Sequence, residues 1–213
     1  MSTLLADTQV TDVQGIYDSR HAQTIMPVAE LIRARFSPRV FSLQELGIEQ
    51  LQTMFEAASW AASSSNLQPW RYVYGRRGSA SFEAIFSCLN EANQVWARNA
   101  AALIVSLVHL RTPKGGMNRF AHHDVGMANA TLLLQAQTMD VYGRMMGGYN
   151  MEAVRNVLQV PDDHDVSAII AVGYRGEIDE ADEAMKERER KPRTRKNLEQ
   201  FAFEQSPFTG DAN

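Results

Sequence analysis

The chain of 213 residues carries one cysteine, Cys88. A single thiol cannot close an intrachain disulfide or build a cysteine-only metal or iron–sulfur site. Such sparing use of cysteine fits a reducing compartment. Glycine is present in 13 copies, yet no two are spaced G-x-G. A Rossmann fingerprint and a Walker phosphate loop are therefore both missing. H-E-x-x-H and G-x-S-x-G are missing too, which removes two large hydrolase signatures. Of the five histidines only His122 and His123 adjoin. Neighbouring residues on a helix point apart, so no metal site is expected. The longest apolar run, Ala100–Val108, is too short to span a bilayer as a helix. The opening MSTLLADTQVTDVQ has neither a basic start nor a long apolar stretch and is not expected to be a signal peptide. A net charge of −4 gives no general attraction to nucleic acid or anionic lipid. The expectation is a cytoplasmic protein with no membrane or nucleic-acid partner.

What is present is an ordinary globular mixture, 45% hydrophobic and 22% charged, long enough to bury a sizeable core. Val28–Phe36 reads as a helix that stops at Pro38, with Val28, Leu31 and Ile32 on one side. Leu51, Met54, Phe55 and Ala58 recur at the spacing of a core-facing stripe and predict a helix over 48–61. Arg71–Gly75 alternates, is rich in aromatic and β-branched residues, and predicts a strand. Phe82, Ile85, Phe86 and Leu89 mark a third helix. Ala100–Leu110 reads as a buried strand, and Arg111–Asn118 as a loop. Residues 121–139 read as a helix with Ala and Leu nearly all round it, which implies burial on most sides. Tyr142–Asn150 is expected to turn at Gly143 and again at Gly147–Gly148. A helix over 151–158 and a central strand over 166–174 follow. Glu177–Arg190 reads as a solvated helix or arm. Helices and strands interleave with irregular crossovers, so the fold class expected is α+β, with helices around one mixed or antiparallel sheet.

Three separated stretches share a chemistry. Arg33, Arg35, Ser37 and Arg39 crowd the end of a helix. Ser63, Ser64, Ser65, Asn66 and Gln68 form a polar stretch after the apolar 48–61 helix and before Trp70. Arg193 and Arg195 lie near the C-terminus. Guanidinium forks suit phosphate oxygens, and hydroxyls and amides add neutral donors and acceptors. Each piece also has a plain reading: a solvated helix end, a turn, a basic tail. Composition and spacing lead to a candidate anion site and stop there.

Taken in order, these stretches resemble the FMN-dependent nitroreductase family over about Ile32–Phe203. The matching elements are Arg35-Phe36-Ser37-Pro38-Arg39 leading to Phe41, the run AASSSNLQPW, and Asp124-Val125-Gly126-Met127-Ala128. They continue with MMGGYN, the strand Ala168–Tyr174, and Arg193 and Arg195 before Leu198. The resemblance implies an intertwined homodimer with FMN at the subunit interface and C-terminal arms embracing the partner. It divides the chain into an N-terminal arm (1–27), one FMN-binding domain (28–203) and a tail (204–213). It implies that Arg35, Phe36, Ser37 and Arg39 approach the cofactor from one subunit, and Ser63, Ser64, Ser65, Asn66 and Gln68 from the other. By the same resemblance Arg35, Arg193 and Arg195 hold the phosphate, and Arg39 lies beside the flavin N1 and C2 oxygen. Gly147 and Gly148 bring backbone N–H groups close to the ring edge near N5, and Met146 and Asn93 are further contacts. The implied activity is ping-pong hydride transfer from NAD(P)H through FMN to a nitroaromatic, quinone, enal or aldehyde, with no essential side-chain acid or base. The Arg111–Phe120 and Met145–Asn150 loops are the implied acceptor selectors. The chain departs from the family pattern at Ala62, where proline is usual, and at Gly147, where glutamate is common. It departs again around Gln94–Trp96, where a basic residue is usual and Arg98 stands nearby. Those departures keep open a flavin-binding protein without nicotinamide turnover; the basic KPRTRK run leaves a third reading, a binding module.

Overall fold

The computed structural model describes residues 21–208. Most of the expected N-terminal arm and the end of the tail lie outside them. At the centre is a four-stranded antiparallel sheet, β1 (Trp70–Arg76), β2 (Ala102–His109), β3 (Tyr142–Met146) and β4 (His164–Gly173), in the order β1-β2-β4-β3. Around it lie α1 (Glu30–Ala34), α2 (Ile48–Ser59), α3 (Ala80–Ser87), α4 (Glu91–Ala97), α5 (Ala121–Gln137), α6 (Met151–Leu158) and α7 (Glu183–Arg190). The α+β expectation is met, and the sheet is antiparallel throughout.

Seven of the eight residues of β2 are buried. A strand covered on both faces loses polar alternation and becomes a continuous apolar run. Successive side chains still point to opposite sides. Leu103 and Val105, with Ile169 and Ala171 of β4, meet Phe82, Ile85, Trp96, Val154 and Met185 from α3, α4, α6 and α7. Ile104 and Val108, with Ile170 and Val172, meet Val125, Ala128, Leu132 and Ala136 of α5, which also contacts Leu51, Met54 and Ala58 of α2. Two hydrophobic layers thus sandwich the sheet. They explain why α5 has apolar residues nearly all round: one side faces the sheet and another faces α2.

The structure corrects the sequence reading in four places. α1 has only five residues and buries none of them, with Ile32 54% exposed. The backbone is already extended at Arg35, so the supposed core side of this helix faces outward. Tyr142–Met146 is a strand rather than a turn at Gly143. A Cβ at Gly143 would stand 2.2 Å from Leu133 Cδ2, so this glycine serves the close approach of α5 to β3. α4, which the sequence reading did not assign, starts where the Asn90 side chain accepts the Asn93 backbone N–H at 3.0 Å, an N-cap. The charged 177–190 segment contains α7, and that helix is not simply solvated: Met185 and Glu189 are buried.

Candidate cofactor site

The first cluster forms where the extended chain after α1 meets the C-terminal segment. Phe36 is buried with its ring centroid 5.1 Å from that of Tyr142, which pins this segment to the edge strand β3. Burial, and then the nearby Asp140 carboxylate, push the phenol of Tyr142 up to about 12. Arg144, also on β3, donates from Nη1 to the Ser37 carbonyl at 2.6 Å and lies 5.7 Å from the Trp96 ring centroid. Arg193 donates to the carbonyls of Arg33 and Arg35 at 3.2 and 2.8 Å, bringing the distant C-terminal segment to the same spot. The Arg35 side chain donates to Ser37 Oγ at 3.2 Å. Burial, and then the nearby Arg195 guanidinium, push Arg35 below the ordinary arginine range. Among the described residues no carboxylate pairs with Arg35 or Arg195. Two like charges held together with a hydroxyl repel one another unless an anion joins them.

Arg39 is differently placed. Its backbone N–H donates to Glu189 Oε1 at 3.0 Å, and its guanidinium lies 3.9 Å from the same oxygen. Glu189 is 2% exposed, and a buried carboxylate needs such partners. With Phe41, Trp96, Arg175 and Met185, Arg39 lines an open cavity of about 620 Å³.

The second cluster is the Ser63–Gln68 loop. Ser65, Asn66 and Gln68 have φ of +50°, +53° and +47°, conformations that cost non-glycine residues on the order of 1–3 kcal/mol each. Two local bonds and one to α5 offset the strain. The Ser64 backbone N–H donates to Asp124 Oδ2 at 3.0 Å, the Gln68 N–H to Ser63 Oγ at 3.1 Å, and Gln68 Nε2 to Asn66 Oδ1 at 3.0 Å. Ser65, Asn66 and Gln68 remain exposed. Asp124 is 1% exposed on the first turn of α5 and ties the loop to the helix layer. Asp124→Asn keeps an acceptor but loses its charge, so it is expected to cost about 1 kcal/mol, the difference between a charged and a neutral hydrogen bond. Urea unfolding checks this, and an unchanged midpoint would show that Asp124 does not hold the loop.

The third cluster is the turn after β3. Gly148 accepts from the Asn90 backbone N–H at 3.1 Å and from Asn93 Nδ2 at 2.9 Å. A Cβ at Gly148 would meet Asn90 Nδ2 at 2.4 Å, whereas one at Gly147 would meet nothing within 4 Å. The side chains of Met146 and Phe36 belong to the core.

The structure therefore brings Arg35, Ser37, Arg193 and Arg195 together, and Asn93 with Gly148. It does not bring the Ser63–Gln68 loop to either group. Trp70, just after that loop, pairs with Val108, and Val108 with Asp165; Tyr142, beside Phe36, pairs with Gly173. Three strand spacings across and about eight residues along the sheet put these corners roughly 30 Å apart. Asp124, Arg144, Asn90 and Glu189 also shape the site and were not among its predicted residues. Asp124 stood within the Asp-x-Gly-x-Ala element; Arg144 and Glu189 carried no local signal.

The sheet and its two helical layers define an α+β protein, with arginines, a hydroxyl and a glycine turn gathered along one edge. A sequence model of the nitroreductase family matches residues 32–85 and 75–174, and the chain belongs to that family. A crystal structure described as an oxidoreductase containing FMN superposes with a TM-score of 0.84 at 33% identity, covering 92% of this chain and 100% of that one. An uncharacterised 15.4 kDa protein of Mycolicibacterium smegmatis is 32% identical over 141 residues, 62% of this chain and 94% of its own length. A protein of Archaeoglobus fulgidus whose name proposes an NADH dehydrogenase/NAD(P)H nitroreductase is 27% identical over 151 residues, 68% of this chain and 83% of its own.

Proposed function

We propose that this protein is an FMN-dependent NAD(P)H oxidoreductase that works as a homodimer and reduces a small oxidised acceptor. The observation that carries the reading is the Arg35–Ser37–Arg193–Arg195 cluster. It gathers two guanidiniums without a carboxylate partner, at the position where the family resemblance puts the FMN phosphate, and the donor set suits that group. The similar crystal structure that contains FMN supports the cofactor, and the A. fulgidus relative supports the nicotinamide reductant.

When bound, FMN supplies the redox chemistry, accepting hydride and passing electrons on. The chain's own residues bind, orient and set charge. Arg35 and Arg195 would neutralise the phosphate, with Ser37 as a neutral donor. Arg39 would face the electron-rich edge of the ring, its guanidinium oriented by Glu189. Gly147 and Gly148 would bring backbone close to the opposite edge, held by Asn93. Ser63, Ser64, Ser65, Asn66 and Gln68 would come from the partner copy, because one chain holds them roughly 30 Å from the arginine cluster. Exposed Phe201, Phe203 and Phe208 near the C-terminus (57%, 49% and 88%) suit an arm laid on a second subunit. The Arg111–Phe120 and Met145–Asn150 segments would select the acceptor.

The test is spectroscopic. The purified protein is expected to be yellow, or to turn yellow with added FMN, and to bleach when NADH or NADPH is added without oxygen. A protein that never takes up FMN overturns the reading. One that binds FMN and is bleached by neither nucleotide is instead a flavin-binding protein without nicotinamide turnover.

A further inference from the structure

Away from the arginine cluster, the end of the sheet gathers three metal-ligating side chains. His109 is the last residue of β2 and His164 the first of β4, and the two are direct register partners. Their ring centroids are 4.7 Å apart. Asp163 stands between them, with Oδ2 at 3.3 Å from His109 Nε2 and Oδ1 at 2.7 Å from His164 Nδ1. One ligand atom from each of the three lies within 4.8 Å of the others. We propose that His109, Asp163 and His164 form a binding site for a late first-row divalent ion, typified by Zn²⁺, with water completing the shell.

The geometry is close to what such an ion needs. Ligand atoms about 2.0–2.1 Å from a tetrahedral metal stand roughly 3.4 Å from one another. The His109–Asp163 separation already has that value, and rotation of the His164 ring away from its hydrogen bond opens the shorter one. Two imidazoles and one carboxylate favour zinc, nickel or copper, whereas magnesium demands oxygen ligands. The frame is rigid. The His109 N–H donates to the Pro69 carbonyl at 2.7 Å, the Leu110 N–H to the Asp163 carbonyl at 2.8 Å, and Arg155 Nη1 to the His164 carbonyl at 2.9 Å. The three side chains are partly exposed, at 30%, 44% and 18% for His109, Asp163 and His164, so an ion can reach them. The site does not depend on the FMN reading.

The test uses untagged, chelator-stripped full-length protein dialysed against Zn²⁺, Ni²⁺ or Mg²⁺, with bound metal measured by emission spectrometry. One Zn²⁺ per chain, saturable, and no retained Mg²⁺ are expected. His109→Gln and His164→Gln should each weaken zinc binding at least about tenfold with unchanged far-UV circular dichroism. Zinc should also shift the imidazole NMR signals of His109 and His164 in the unaltered protein, a readout that survives if a variant fails to fold. No zinc uptake, uptake by both variants equal to the parent's, or shifts confined to His21, His122 and His123 would each overturn the proposal.

Discussion

Arg195→Ala is expected to lower FMN affinity by about 10- to 100-fold, the equivalent of one charge-assisted hydrogen bond, while riboflavin binding falls much less. Riboflavin lacks the phosphate, so a residue that serves only the phosphate should not distinguish flavin rings. The geometry makes the variant informative. Arg195 lies close enough to Arg35 to depress it, so removing it relieves a repulsion in the ligand-free protein. The unliganded variant should be at least as stable as the parent, and the loss should appear only on binding. Arg35→Ala should behave alike but also forfeits the 3.2 Å bond to Ser37. Fluorescence quenching titrations of FMN and riboflavin check this. Equal losses for the two flavins would remove Arg195 from the phosphate. A variant that unfolds more readily without flavin would show that Arg195 is structural.

Much of the fold was legible because burial leaves a local trace. β2 and β4 announced themselves as apolar runs, and α5 as a long helix, since each is covered on more than one side. What failed locally was decided by partners elsewhere in the chain. Gly143 looks like a turn glycine until Leu133, ten residues earlier on α5, is seen against it. α4 buries only Trp96 and Ala97, too few residues to show a period. Glu189 sits in a run of charges that reads as solvated, and only the fold brings Arg39 to it. His109 and His164 are 55 positions apart, and only strand register makes them neighbours. The candidate site divides along the same line. Arginines, serines and glycines with a family order were visible as residue types, whereas the groups that hold them, Asp124, Arg144 and Asn90, owe their roles to packing.

That distinction predicts opposite outcomes for adjacent glycines. Gly147→Ala should leave stability unchanged, because a methyl there meets nothing within 4 Å. Gly148→Ala should destabilise the protein by about 1–3 kcal/mol, the usual cost of inserting a methyl where there is no room. The methyl would overlap Asn90 Nδ2 at 2.4 Å and Asn93 Nδ2 at 2.8 Å. Those amides belong to flexible side chains and can move, but moving them breaks useful contacts. Asn90 would leave its cap on α4, and Asn93 would lose its 2.9 Å bond to the Gly148 carbonyl. For a chain of this length the expected fall in melting temperature is roughly 5 °C. The turn would also shift at the place proposed to meet the flavin ring, so FMN retention should fall in Gly148→Ala even below its melting range. Thermal unfolding with and without FMN separates the effects: the parent and Gly147→Ala should gain similar stability from FMN, and Gly148→Ala less. Equal melting temperatures for both variants would mean that the Asn90–Asn93–Gly148 packing does not constrain the turn.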